Sequence, residues 1–239
     1  MKTIQYDGFE LEHFDSAHNF RKYQLFLIKD YISDKFLEVG PGKGGFAFFY
    51  SNLVKKPMLI EPEKKLYRIL KKSLKKIFII KNCTINKINN KFDTIIYFDV
   101  LEHIKNDIKE VSIASKKVKK NKYLIFNVPA YQSLYSDFDK SVGHYKRYNK
   151  KDFLKISKKT GLKIEKLIYY DSIGFLFLIL NKVFSLKQSN LKNKLYLWNL
   201  LIPLSRLIDF LTFNKFGKSL LCIFKKWLNS EKLLYFFYF

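Results

Sequence analysis

Two cysteines, four histidines and four arginines are all that this 239-residue chain holds of those three residue types. Cys83 and Cys222 are too few for a disulfide framework. Neither belongs to a C-x-x-C or Cys/His cluster, so the sequence predicts no metal site. The stretch "MKTIQYDGFELEHFD" lacks the apolar core of a signal peptide, which points to a reducing cytoplasm. No apolar run is long enough to cross a bilayer. "IGFLFLIL" has eight residues, and "LYLWNLLIPLSRLIDFLTF" is interrupted by Pro203, Arg206 and Asp209. No internal repeat or flexible linker is visible. Apolar residues make up 48% of the chain and aromatics 18%, which excludes disorder by composition.

The scarcity of arginine also qualifies the charge. There are 45 basic and 21 acidic residues, for a net charge of +24. Such a surface draws nucleic acid, anionic lipid or an acidic substrate. Yet only Arg21, Arg68, Arg147 and Arg206 carry a guanidinium; the rest is lysine, among much Asn and Ile. AT-rich coding drift and selected surface charge both explain that pattern. A nucleic-acid surface uses the arginine fork more often, so nucleic acid is disfavoured as a partner.

Short apolar runs alternate with lysine-rich helical stretches. The runs are "KFLEV" (35–39), "PMLIE" (57–61), "IFII" (77–80), "TIIYFD" (94–99) and "YLIFNV" (123–128). They read as strands of a parallel sheet buried on both faces. "GFAFFYSNLV", "EKKLYRILKKSL" and "NDIKEVSIASKKVK" suit the crossover helices. Residues 149–162 read as a capped helix stopped by Gly161, 163–171 as a strand, and 218–227 as a last strand. Residues 172–217 are Phe/Leu-rich and helical. The expected organisation is one domain. It has an N-terminal helical segment (1–33), a cofactor-binding core (34–171), an apolar helical insertion (172–217), and a last strand with a tail (218–239).

The loop after the first strand, "KFLEVGPGKGGFAFF", carries Gly40, Gly42, Gly44 and Gly45. Gly40, Gly42 and Gly44 form GxGxG, a pattern of S-adenosyl-L-methionine (SAM) sites. Gly40, Gly42 and Gly45 form GxGxxG, a pattern of nicotinamide dinucleotide sites. Glycines permit the tight turn and let a ligand approach the backbone. Glu38 lies two residues before Gly40. It either faces a cation, which suits the sulfonium and ammonium of SAM, or caps local amides. Glu61 ends the second strand, where an acid holds two ribose hydroxyls of either cofactor.

"FDTIIYFDVLEHI" (92–104) decides between them. With "LEVGPGKG" and "IEP" it gives three motifs in order, and the region from Asp15 to Ile168 resembles the class I SAM-dependent methyltransferases. The resemblance implies a doubly wound, Rossmann-like, mostly parallel seven-stranded α/β sheet. An N-terminal helical lid covers the cofactor, and a C-terminal helical insertion precedes the last strand. It places Gly40, Gly42 and Gly44 at the methionine and ribose end of SAM and Glu61 at the ribose. The third-strand loop "KNCTINKI" lacks an Asp for the adenine amino group, so Thr84 and Ile85 stand at the adenine. Asp99 either meets the methionyl ammonium or the acceptor, or caps the following turn.

A narrower likeness extends through "VPAYQSLYSDFDKSVGHYKRYNKKDF" (128–153). This is similar to a bacterial subgroup with a GH-x-RRY segment whose members often sit among sugar and cell-envelope genes; Lys146 departs from its pattern. That likeness implies a reaction type without a definite acceptor. His144 and His103 are the candidate general bases. Arg147, with Tyr148, is the candidate partner for an acceptor carboxylate or phosphate. His13 and His18 fall in the lid segment. The D/N-P-P-Y/F box of enzymes that methylate base amino groups is absent. The expected activity is methyl transfer from SAM to an oxygen of a small-molecule, lipid-linked or glycan-related acceptor. The apolar insertion either lies on the inner membrane face or covers a lipid-like acceptor, or else builds a helical cap or a dimer face, and the tail "LLYFFYF" either docks or touches lipid. The alternatives are an NAD(P)-dependent oxidoreductase and a non-catalytic membrane-surface binding protein on the same fold.

Overall fold

A computed structural model describes residues 17–55, 57–184 and 191–227. His13 and the tail motif lie outside the described residues. The strands are β1 (Phe36–Val39), β2 (Met58–Ile60), β3 (Ile79–Lys81), β4 (Phe92–Phe98), β5 (Val118–Pro129), β6 (Lys163–Tyr170) and β7 (Ser219–Lys225). They form one sheet in the order β3-β2-β1-β4-β5-β7-β6. β1 to β5 pair in parallel; β7 runs antiparallel between β5 and β6. The helices are α1 (His18–Ile28), α2 (Ala47–Tyr50), α3 (Lys64–Leu74), α4 (Asp107–Lys117), α5 (Asp137–Ser141), α6 (Lys150–Thr160), α7 (Ser172–Phe184), α8 (Leu191–Leu200) and α9 (Ile202–Leu211).

The helix pattern follows from spacing and caps. In α3, Leu66, Leu70 and Leu74 recur every fourth residue and are buried, and the Glu63 carboxylate accepts from the Leu66 amide at 2.7 Å. In α6, Asn149 and Asp152 form a capping box, and Gly161 closes the helix at φ 70°. β5 begins five residues before its apolar run. Its polar start, with Asn121 at φ 59°, disguises a strand held by the Asn121 amide on the Lys226 carbonyl at 2.7 Å. The long apolar stretch of the insertion breaks into α8 and α9, with Pro203 in the first turn of α9.

The core has two layers, one on each face of the sheet. Leu37, Tyr97, Phe126, Phe153 and Phe224 share the α4 and α6 side. Phe36, Tyr50, Ile96, Tyr170 and Trp198 share the side covered by α1, α2, α3 and the insertion. α1 is tied to the insertion by three hydrogen bonds, one from Asn19 Nδ2 to the Asn199 carbonyl at 3.1 Å. The Phe20 amide donates to Asn199 Oδ1 at 3.1 Å, and Tyr23 Oη donates to Asp209 Oδ2 at 2.9 Å. Gly217 passes over the end of β6 so closely that a Cβ there would lie 2.1 Å from the Tyr170 carbonyl oxygen. Because backbone cannot yield as a side chain does, Gly217→Ala is expected to cost roughly 3 kcal/mol or more, read from the urea midpoint.

Candidate cofactor and acceptor site

A cavity of about 1620 Å³ opens at the carboxyl ends of β1 and β4, where the strand order reverses. Glu38, Gly40, Gly42, Glu61, Thr84, Ile85, Asp99, His103, His144 and Arg147 all line it. Gly40 (φ 67°) turns the chain, its amide donating to the Ile60 carbonyl at 2.8 Å. Gly44 is not among the lining residues. A Cβ there would meet Leu74 Cδ1 at 2.6 Å and Leu70 Cδ1 at 2.8 Å, so its missing side chain lets the loop settle on α3, while Gly45 faces the cavity. Tyr148 is also absent from the lining. It is buried beneath it, with Oη donating to the Leu101 carbonyl at 3.1 Å and to Asp107 at 3.2 Å.

Two buried acids, Glu38 and Glu61, and the exposed Asp99 define the donor end. Burial pushes the Glu38 carboxyl up to about 7, against a hydrogen bond from Tyr50 Oη and the charge of Arg21. Burial likewise raises Glu61 to about 7, against the amides of Glu63 (2.9 Å) and Gly42 (3.1 Å). Each Glu61 oxygen takes one of these amides and keeps a second acceptor position for a ligand hydroxyl. Asp99, at φ 56°, belongs to a ring of side chains from four elements. Arg21 Nη1 donates to Gln24 (2.8 Å), Gln24 to Tyr170 Oη (3.1 Å), Tyr170 to Asn127 (2.6 Å), and Asn127 to Asp99 (2.8 Å). Arg21 Nη1 closes the ring 3.9 Å from Asp99 Oδ2, and its buried Nε has no partner among the described residues.

The acceptor end is built from the turn Leu101–His103 and the segment after α5. The imidazoles of His103 and His144 meet edge to face at 4.7 Å between centroids. Burial, and the charge of His144, lower His103 to about 4. Asp139 Oδ1 lies 2.9 Å from His144 Nδ1 and 2.9 Å from Arg147 Nε. Burial raises the Asp139 carboxyl, but those two neighbours outweigh it and hold it at about 2. Arg147 Nη1 is buried, without a hydrogen-bond partner among the described residues. Glu102, His103 and His144 bring one ligand-type atom each within 4.8 Å of one another.

The insertion supplies the remaining wall through Gly174, Phe177, Leu178, Leu195 and Trp198. Arg21, Glu102, Asp139 and Trp198 are site residues that the motif reading did not single out. Asp139 is also the last residue of the Ser136 capping box at the start of α5. Arg21 had a usable signal. In a chain where lysine fills nearly every basic position, Arg21 and Arg147 are the two arginines that are buried, and both line the cavity.

A family model described as a methyltransferase domain matches residues 11–167. No curated protein matches the chain in sequence. Among solved structures, a SAM-dependent methyltransferase from Archaeoglobus fulgidus superposes with a TM-score of 0.62 at 14% identity, covering 93% of this chain and 100% of that one. A SAM-dependent methyltransferase from Clostridium acetobutylicum gives 0.58 at 13%, covering 93% and 96%. Phosphoethanolamine N-methyltransferase 2 from Haemonchus contortus, in complex with SAM, gives 0.63 at 14%, covering 95% of this chain and 61% of that chain. At these identities the structural likeness is one of fold.

Proposed function

The chain belongs to the methyltransferase domain family, and from that premise we propose that it moves a methyl group from SAM to an oxygen of a small anionic acceptor. The observation that carries this reading is Glu61: a buried carboxylate beside the glycine turn, with one acceptor position left on each oxygen. It fits two ribose hydroxyls. Thr84 and Ile85 flank the adenine. Glu38 and Asp99 supply negative charge for the cationic end, and the unpartnered Arg21 Nε suits the methionyl carboxylate. Bound SAM supplies an electrophilic methyl on a sulfonium leaving group. The protein aligns the acceptor oxygen in line with it, excludes water beneath α1 and the insertion, and disposes of the acceptor's proton at the His103–His144 corner. Arg147 Nη1 stands ready for an acceptor carboxylate or phosphate.

The role of Arg21 is testable with ligands that differ in one portion. Arg21→Met is expected to weaken S-adenosylhomocysteine by roughly 10- to 100-fold, the range of a charge-assisted hydrogen bond. Methylthioadenosine lacks the amino and carboxyl groups, and its affinity is expected to stay within about twofold. An equal loss for both ligands would remove Arg21 from carboxylate recognition.

A lipid-linked acceptor and contact with a membrane surface are the second part of the reading. Among the described residues no helix is long and apolar enough to cross a membrane. Even so, α8, α9 and the turn after them expose Tyr196, Leu200, Leu207, Phe210, Leu211 and Phe213, the last at 81%. On a chain of net charge +24, such a face suits an anionic lipid surface beside the cavity. The overall test is labelled SAM with lipid, glycan, RNA and protein fractions. Label in a lipid or glycan fraction supports the reading, and label confined to RNA or protein overturns it. Vesicle binding without SAM affinity favours a non-catalytic binding protein, and NADH binding without SAM binding favours an oxidoreductase.

A further inference from the structure

We propose that Glu102, His103 and His144 form a site for one divalent cation of the zinc, cobalt, manganese or iron(II) kind, placed to bind the acceptor's oxygen. The role in catalysis rests on the methyl-transfer reading; the site itself does not.

The strongest observation is Glu102. It is 1% exposed, it lines the cavity, and among the described residues neither carboxylate oxygen has a hydrogen-bond partner. A buried carboxyl with no donor is costly, and a cation removes that cost. The second observation is how the imidazoles are held. His144 turns Nδ1 to Asp139 at 2.9 Å and leaves Nε2 4.0 Å from Glu102 Oε1. Asp139 is fixed in turn by Arg147 Nε and by the amide and hydroxyl of Ser136, both at 2.9 Å. A carboxylate behind an imidazole is the arrangement that orients metal-binding histidines. His103 packs edge to face against the His144 ring, at 4.7 Å between centroids.

The two supporting segments are pinned together. The Tyr145 amide donates to the Glu102 carbonyl at 2.8 Å, and Tyr135 Oη to the His144 carbonyl at 2.7 Å. Donors about 2.1 Å from one ion lie roughly 3–3.5 Å apart. The three atoms, all within 4.8 Å of each other, therefore close on an ion by side-chain rotation. Two imidazoles and one carboxylate suit borderline metals rather than magnesium or calcium, which take oxygen donors. Three protein ligands leave open positions for the acceptor. With the cation in place both imidazoles serve as ligands rather than as bases, so a hydroxyl bound there gives its proton to water and stays on the cation as an oxyanion. Its lone pair forms the new C–O bond while the C–S pair departs with sulfur.

The test uses the full, tag-free chain stripped with chelator, then titrated with Co²⁺ under visible absorption. S-adenosylhomocysteine affinity is measured on the same sample. The expected result is one Co²⁺ per chain with d–d bands and no thiolate charge-transfer band. Glu102→Gln and His144→Asn are each expected to weaken it by about tenfold or more, and Asp139→Asn by about tenfold. His18→Asn is expected to change nothing. No saturable Co²⁺ binding in a sample that binds S-adenosylhomocysteine overturns the cation site and leaves methyl transfer standing. Equal affinity in the Glu102→Gln and His144→Asn chains, or a thiolate band, also overturns it. Co²⁺ binding without cofactor binding keeps the site and removes its catalytic role.

Discussion

Glu61→Gln is expected to weaken SAM and S-adenosylhomocysteine by roughly 100-fold in calorimetric titration, leaving the fold intact. The carboxylate offers one free acceptor position per oxygen, and two charge-assisted hydrogen bonds at about 1.5 kcal/mol each give that factor. The pH dependence sharpens the prediction. Folding raises the Glu61 carboxyl from 4.5 to about 7, so the free protein holds that proton longer than the unfolded chain does. Its contribution to stability is fully present below pH 4.5 and is lost as pH rises through 7. Ribose hydroxyls need the anion, so cofactor affinity runs the other way and falls as pH drops through 7. Glu38, also at about 7, has the same sign because the cationic end of SAM favours its anion; Glu63 and Arg21 are the other charges acting on this pair. Between pH 8 and pH 6 affinity is expected to drop about tenfold per carboxylate. Glu61→Gln removes one of those two factors and leaves the free protein equally or more stable at pH 8. A mutant that binds S-adenosylhomocysteine as the parent does would separate Glu61 from the ribose.

Asp209→Ala is expected to cause the largest loss of stability, roughly 3–6 kcal/mol. Asp209 is fully buried and accepts from Tyr23 Oη (2.9 Å), the Asp171 amide (2.7 Å) and the Ser172 amide (3.0 Å). Removing it strands three buried donors at about 1–3 kcal/mol each. For a chain of this size that lowers Tm by about 10–20 °C. Asp209→Asn keeps one carbonyl oxygen and is expected to fall between the two. The three partners lie on α1, at the end of β6 and at the start of α7. Hydrogen exchange in the Asp209→Ala chain is therefore expected to accelerate first in α1 and α7. Loss confined to α9 would mean that Asp209 holds only its own helix.

What could be read from the sequence, and what could not, divides on physical grounds. The parallel strands were legible because burial on both faces writes a continuous apolar run, as in β1 and β4. The start of β5 was not, since its pairing is set by neighbouring strands rather than by its own lysines. Glu61 and the glycine turn were legible as spacing. Gly44 and Tyr148 were not, because a motif gives a residue's position without saying which face it presents. Glu102 stood in the quoted box, but its importance comes from what it lacks, and absent partners leave no trace in a sequence. The ring through Arg21, Gln24, Tyr170, Asn127 and Asp99 spans more than 140 positions between Gln24 and Tyr170 alone. Such contacts exist only after folding.

The place of β7 also dictates an order of events in the cell. β1 to β5 are neighbours that can associate as they are made, but β6 touches the sheet only through β7, which comes more than forty residues later. A nascent chain released as far as α9 therefore carries β5 with one open edge and β6 with none of its partners. The strand that joins them pairs antiparallel with β5 on one side and with β6 on the other. Completion of the sheet is thus a late, long-range step. Until Ser219–Lys225 has emerged, the apolar edge of β5 is exposed to whatever strand meets it first, which makes chaperone contact and production yield sensitive to the final stretch of translation.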